Sequence, residues 1–266
     1  MKISTDKNDV IHIKKDSIRI LNNMLESLIK DGDYKKAQLI SKWIKDYCNY
    51  IYFEDKFDPK KNISYKRGDI VKVNFGFNIG SELGGVHYAV VIDNDNRHSS
   101  NTMVVVPLSS LKEGQQVYDR DVDIGSEFFN TFDAKLIREI AATSEEVNDI
   151  SGMKEILESY EKALMGKDTS ATAVITSEEL TIKRKEYSER LQKIKSKLTF
   201  LQASSKELSL MKTGSVAKVE QIRAISKERI WDPQHTTDVL YGIRLSANTM
   251  DKINTKIKEL FLFESH

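Results

Sequence analysis

The hydrophobic period changes several times along this chain, and those changes constrain its fold more than any other feature. Apolar residues first recur at helical steps: Ile18, Leu21, Leu25 and Leu28, then Ala37, Ile40, Ile44, Tyr47 and Ile51. Asp31-Gly32-Asp33 separates the two runs and supplies a turn, so residues 16–53 read as a helical hairpin. The stretch Asp55 to Lys61 is charged, contains Pro59 and lacks an apolar repeat; it reads as a linker. From Asp69 the period shortens. Ile70, Val71, Val73 and Phe75 form one strand-like run, Tyr88 to Ile92 a second, and Thr102 to Leu108, rich in β-branched residues, a third. Val117 to Ile124 alternates as a fourth, and a glycine-rich loop, Gly76 to Gly85, separates the first two.

The helical period returns from Phe128. Thr176-Ser177-Glu178-Glu179 has the form of a capping box. It opens a run with Leu180, Tyr187, Leu191, Ile194, Leu198 and Leu201 at near-heptad steps, and Ser144 to Leu164 is its candidate antiparallel partner. Gly214 to Ile225 reads as strand again. A final amphipathic helix begins near Ser246 and carries Met250, Ile253, Ile257 and Leu260. Short strands with close turn signals point to an α+β chain with a small β-barrel rather than a parallel sheet. The economical arrangement has the chain leave the barrel after residue 124 and return at 214. This predicts a helical extension over 1–62, a barrel with terminal helix over 63–125 and 213–266, and an inserted coiled-coil-like hairpin over 126–212.

Composition excludes less than the pattern does. The net charge is +1 over 266 residues, so a polyanion would have to be held by a local basic patch. The run from Lys183-Arg184-Lys185 to Lys197 reads either as the wet face of a helix or as an RNA contact. The one cysteine, Cys48, cannot form an intrachain disulfide and falls on an apolar helical face, where it reads as a small buried hydrophobe. His12, His235 and His266 show no metal-ligand spacing with one another or with Cys48. The start, MKISTDKNDV, lacks the apolar stretch of a signal peptide, and no apolar run approaches the ~20 residues of a membrane span. These features predict a cytoplasmic protein without a membrane partner.

Three separated segments resemble the MazF/PemK toxins, in that family's order. The first is Lys66-Arg67-Gly68-Asp69-Ile70-Val71 with Gly80-Ser81-Glu82-Leu83-Gly84-Gly85-Val86 and the strand to Ile92. The second is Asn94-Asp95-Asn96-Arg97-His98-Ser99 with Val104-Val105-Val106-Pro107-Leu108-Ser109. The third is Ser215-Val216-Ala217 with Glu220 to Ile225 and Lys227-Glu228-Arg229-Ile230. The resemblance implies an SH3-like barrel with a terminal helix, usually a homodimer, and a neutralising antitoxin as partner. It also implies metal-independent, cofactor-free cleavage of single-stranded RNA, leaving a 2′,3′-cyclic phosphate and a 5′-hydroxyl.

That chemistry needs a group to take the 2′-OH proton, one to protonate the leaving 5′-oxygen, and a donor for the charge on the phosphoryl oxygens. In the family, an arginine after the glycine pair and a threonine or serine at the end of the third strand do most of this. Ser109 fills the second role here, but His87 stands at the arginine position and Tyr88 at that of the following proline. Arginine is permanently charged and forks onto phosphate, whereas histidine titrates near neutrality. His87 can thus serve as general acid or base, can mark a weakened RNA-binding remnant, or can be structural. Glu82 either shares proton transfer with His87 or caps the loop. Ser81, Gly84, Gly85, Arg97, Gln221 and Arg223 are the RNA-contact candidates. For Gly84 and Gly85 a tight turn is the plainer reading, for Arg223 an ordinary strand face, and for His98 a solvated turn.

Overall fold

The run Met103-Val104-Val105-Val106 is apolar on both sides of the pleat, which makes it a strand that must be covered twice. The computed structural model describes residues 6–112, 114–165 and 176–262. Two compact units divide the chain: Met1–Phe57 with Asn74–Val86, and Asp58–Val73 with His87–His266.

The first unit contains helices α1 (Lys7–Lys30) and α2 (Tyr34–Phe53). α1 starts well before residue 16 because the Asp6 carboxylate accepts from the amides of Asn8 and Asp9. Gly32 takes the left-handed conformation (φ +81°) that the turn requires, and Asp33 caps α2 through the Lys36 amide. The pair is thinly covered. α1 has no buried residue and α2 buries Ala37 and Ile40. Cys48 is exposed, contrary to the buried position its neighbours suggested, because the apolar residues beside it on α2, such as Tyr47 and Ile51, are themselves exposed. The linker expected at 55–61 is ordered into two 3-10 turns, Glu54–Lys56 and Pro59–Lys61, with Pro59 buried.

The second unit is organised by an antiparallel sheet. Its strands are β1 (Ile70–Asn74), β2 (Val86–Val91), β3 (Thr102–Leu111), β4 (Val122–Gly125), β5 (Gly214–Ala217), β6 (Arg223–Ser226) and β7 (Ile230–Asp232). Asn74 and Val86, the outer residues of β1 and β2, fall in the first unit. The hydrogen-bonded order is β4-β5-β3-β2-β1-β7, with β6 pairing β3 off this path. The sheet is therefore open, not the closed barrel that the short strands suggested. β6 pairs β3, β7 pairs β1, and the chain passes between them through a 3-10 turn, Lys227–Arg229, instead of a ladder.

The single strand expected over 214–225 is two. Leu108 pairs Ala217 and Val105 pairs Arg223, so three steps along β3 face six along its neighbour. The surplus is taken up by the 3-10 turn Val219–Gln221. Likewise, of the strand expected over 117–124, only the end near Val122 pairs, as β4 against β5.

Two long helices lie between β4 and β5: α3 (Glu127–Leu164) and α4 (Ser177–Leu210). Thr176 and Glu179 form a reciprocal capping box at the start of α4. Ile150 and Leu157 of α3 and Leu180 and Ile194 of α4 are buried, and Arg184 reaches Glu161 at 2.8 Å. α5 (Ala247–Phe261) begins where the sequence placed it, capped by Ser246 through the Thr249 amide. Glu127 at the head of α3 accepts from the Ser246 amide and the Thr249 hydroxyl, tying the starts of α3 and α5 together.

The main core joins Val90, Val106 and Leu108 of the sheet to Phe128 and Phe132 of α3 and Met250 and Ile253 of α5. On the opposite face, Ala89, Val91, Met103 and Val105 are no more than 1% exposed. β2 and β3 are thus buried on both faces, which accounts for their unbroken apolar runs. Phe128 is 1% exposed at the junction of α3 with the sheet. Phe128→Ala should cost about 3–5 kcal/mol of stability, read as a lowered urea midpoint in equilibrium unfolding.

Candidate functional site

The glycine-rich loop belongs to the first unit. Phe75 N–H donates to Gly85 O at 2.8 Å and Gly85 N–H to Gly76 O at 2.5 Å, so the loop closes as a hairpin. Asn78 Nδ2 donates to Leu83 O at 2.7 Å across it. A Cβ at Gly84 would lie 2.7 Å from Gly76 O, so the glycine is required by backbone approach within the loop. Gly85 has φ +85°, which likewise favours glycine. Ser81 and Glu82 are exposed at the loop's outer end, and the Glu82 amide closes a turn by donating to Ile79 O at 3.2 Å.

The second unit holds His87, Ser109, Arg97, Gln221 and Arg223. Ala89↔Pro107, Val90↔Val106 and Val91↔Val105 fix the antiparallel register of β2 on β3. The pairs end at Ala89↔Pro107; continued two residues further, the same register would set His87 across from Ser109, and by alternation both belong to the face of Ala89 and Pro107. Both are half-buried. Ser109 also sits opposite Val216 of β5. Two neighbouring strands thus carry an imidazole and a hydroxyl on one face, residue types that proton transfer and phosphoryl contact need.

Arg97 and His98 lie in the loop between β2 and β3. The loop's backbone is held from within the protein: Lys227 Nζ donates to Arg97 O at 3.0 Å, and His98 Nε2 is 2.7 Å from Asn62 O. The Arg97 residue is exposed, so its guanidinium projects from an anchored backbone. His98 is likewise not merely solvated. Lys227 is fully buried, and desolvation pushes its ammonium pKa down. Arg223 stands in register with Val105 on β6, and its guanidinium reaches back to Gln221, with Nη2 3.5 Å from Oε1.

Sequence reasoning missed a polar cluster on the other face of β2. The Tyr88 hydroxyl donates to Glu207 of α4, and Lys72 Nζ of β1 meets the same carboxylate oxygen at 2.5 Å. Burial, reinforced by that carboxylate, pushes the Tyr88 phenol well above its usual range. Asp232 pairs with Lys72 across β1 and β7 and accepts from the Leu240 amide at 2.8 Å. Burial pushes its pKa up to about 6, the Leu240 hydrogen bond pulls it down, and the charges of Asp238 and Glu207 add to the rise. Asp121, which is buried, binds Lys218 at 2.6 Å, and the Lys218 amide donates to Pro107 O. Among the described residues, no group of three or more His, Cys, Asp or Glu is placed to hold a metal ion. His266 lies outside the described residues. No helix among them is long and apolar enough to cross a membrane.

The mixed helix and antiparallel-sheet architecture is consistent with the family the sequence resembles. Residues 66–163 match the family model described as PemK-like, MazF-like toxin of type II toxin-antitoxin system. The chain is similar to that family over this segment. The match takes in β1 to β4 and most of α3, and ends before the segment at 215–230. No curated protein matches the chain.

The raised Asp232 pKa has a signed consequence. Its folded value, about 6, exceeds its ordinary 3.8, so the neutral form is favoured in the fold. Its contribution to stability is full below pH ~4 and is lost as pH rises through ~6. Asp232→Asn keeps an acceptor for Leu240 and removes the ionisation. Wild type should therefore lose about 1–2 kcal/mol relative to the variant between pH 4 and 7.5, measured by denaturant unfolding at both pH values.

Proposed function

We propose that the chain is a toxin endoribonuclease that cuts single-stranded RNA by metal-independent transesterification. The 2′-oxygen attacks the adjacent phosphorus, the 5′-oxygen leaves, and the products carry 2′,3′-cyclic phosphate and 5′-hydroxyl ends. His87 moves the proton, and Ser109 donates a hydrogen bond to the phosphoryl oxygens. The observation that carries this reading is the placement of His87 and Ser109 on neighbouring strands β2 and β3, on one face by alternation, within a segment that matches a toxin family. The passage from β6 through a 3-10 turn into β7, which pairs β1, supports an SH3-like reading of the sheet. From the resemblance we also carry Glu82 as a participant in proton transfer, and Ser81, Gly84, Gly85, Arg97, Gln221 and Arg223 as RNA contacts. A homodimer neutralised by an antitoxin protein, acting in the cytoplasm, belongs to the same reading.

His87 in place of arginine favours a second reading, a barrel that binds RNA or protein without cutting. The two part in one assay: mixed-sequence RNA incubated with the protein in excess EDTA, with the ends mapped. Cleavage to cyclic-phosphate ends should fall on the order of 10²- to 10⁴-fold in both His87→Ala and Ser109→Ala. Tight RNA binding with no product from the wild-type chain would overturn the nuclease reading and leave the second.

A further inference from the structure

Tyr88 is gripped by three elements outside its own strand. The Phe128 ring of α3 packs edge-on at 4.9 Å between centroids, and Lys72 Nζ lies 5.6 Å from the Tyr88 ring centroid. Its hydroxyl donates to Glu207 of α4, the carboxylate that also holds Lys72. A proline at this position, as the family resemblance would have it, could make none of the polar contacts. Of the two residues that depart from the family pattern, Tyr88 is the one that receives the long helices between β4 and β5.

This matters at the next residue along. The last pair of the β2–β3 ladder is Ala89↔Pro107, and His87 lies two residues beyond it, on a strand whose other neighbour is β1. On that stretch Tyr88 points into the helices while His87 occupies the opposite face. An anchor on the Tyr88 side chain sets where the backbone lies, and hence where the imidazole stands. Glu207 supplies the far end of that anchor; its side chain is 20% exposed and it accepts two charge-relevant contacts at once.

We propose that Glu207 is a positioning residue for the candidate site, acting through Tyr88 to tie α4 to the end of β2 that bears His87. The proposal rests on the role given to His87 above. In steady-state RNA cleavage, Glu207→Ala and Tyr88→Phe should each lower kcat on the order of 10- to 100-fold while KM stays near the wild-type value. Glu207→Gln, which keeps the acceptor oxygen, should restore most of the rate. The double variant should be no worse than the poorer single one, because both break the same link.

A second measurement does not depend on cleavage. The His87 imidazole resonances, followed by heteronuclear NMR, should shift in both Glu207→Ala and Tyr88→Phe. They should stay in place in Leu208→Ala, which trims the apolar contact of the neighbouring α4 residue with the core. Tyr88→Phe keeps the ring on Phe128, so it decides the matter if Glu207→Ala does not fold. Unmoved His87 resonances in the folded variants, or an equal shift in Leu208→Ala, would overturn the proposal. A wild-type chain that cuts no RNA sinks the nuclease reading instead, and the resonances still decide the link.

Discussion

Burial of the β2–β3 ladder on both faces is the constraint from which the second unit follows. One face meets Phe128, Phe132, Met250 and Ile253; the other, through Ala89, Val91, Met103 and Val105, is closed to solvent as well. A slip of one residue would exchange the two faces and move every side chain into the wrong core, so the register is strongly held. Continued two residues past its last pair, that register would align His87 with Ser109. Where the ladder stops, full burial gives way to half-exposed positions, and the candidates His87 and Ser109 sit there.

The chain's periodicity made α1, α2 and α5 readable because each has one dominant apolar face. Ser246 announces α5 at the residue where it begins, and Thr176 with Glu179 announces α4. Boundaries failed where a cap or an irregularity, not a period, decides. Asp6 starts α1 before its apolar repeat is established. The three surplus residues between β5 and β6 leave no mark in a segment that is uniformly strand-like. Closure of the barrel was also beyond a one-dimensional pattern, since it depends on which edges meet, and β4 and β7 end the hydrogen-bonded path.

The candidate site was legible in its residue types and not in its supports. His87 and Ser109 came from resemblance, and their alignment is a property of strand register. Lys227, Asp232 and Glu207 look in the sequence like any other charged residues. Lys227 is completely buried, and Glu207 reaches Tyr88 across 119 positions of chain. Such polar partners are long-range by nature, because a buried charge must be satisfied by whatever backbone or side chain the fold brings to it. His98 shows the same effect in reverse: what reads as a wet turn is tied to Asn62.

The pairing of β4 with β5 has one more consequence. Val122 lies across from Ala217, so the chain departs from the sheet and rejoins it about one strand spacing, ~4.8 Å, away. In topology, α3 and α4 are the contents of an enlarged hairpin turn. The entropy of closing such a loop grows only with the logarithm of its length, so so long an excursion weighs little more on the sheet than a moderate one. The fold can therefore carry this stretch as a cassette, lengthened or shortened without rethreading a strand. Its toll is collected at the groups that have come to depend on it: Tyr88 and Lys72 of the sheet, the core that Phe128 and Phe132 fill, and the start of α5 held by Glu127.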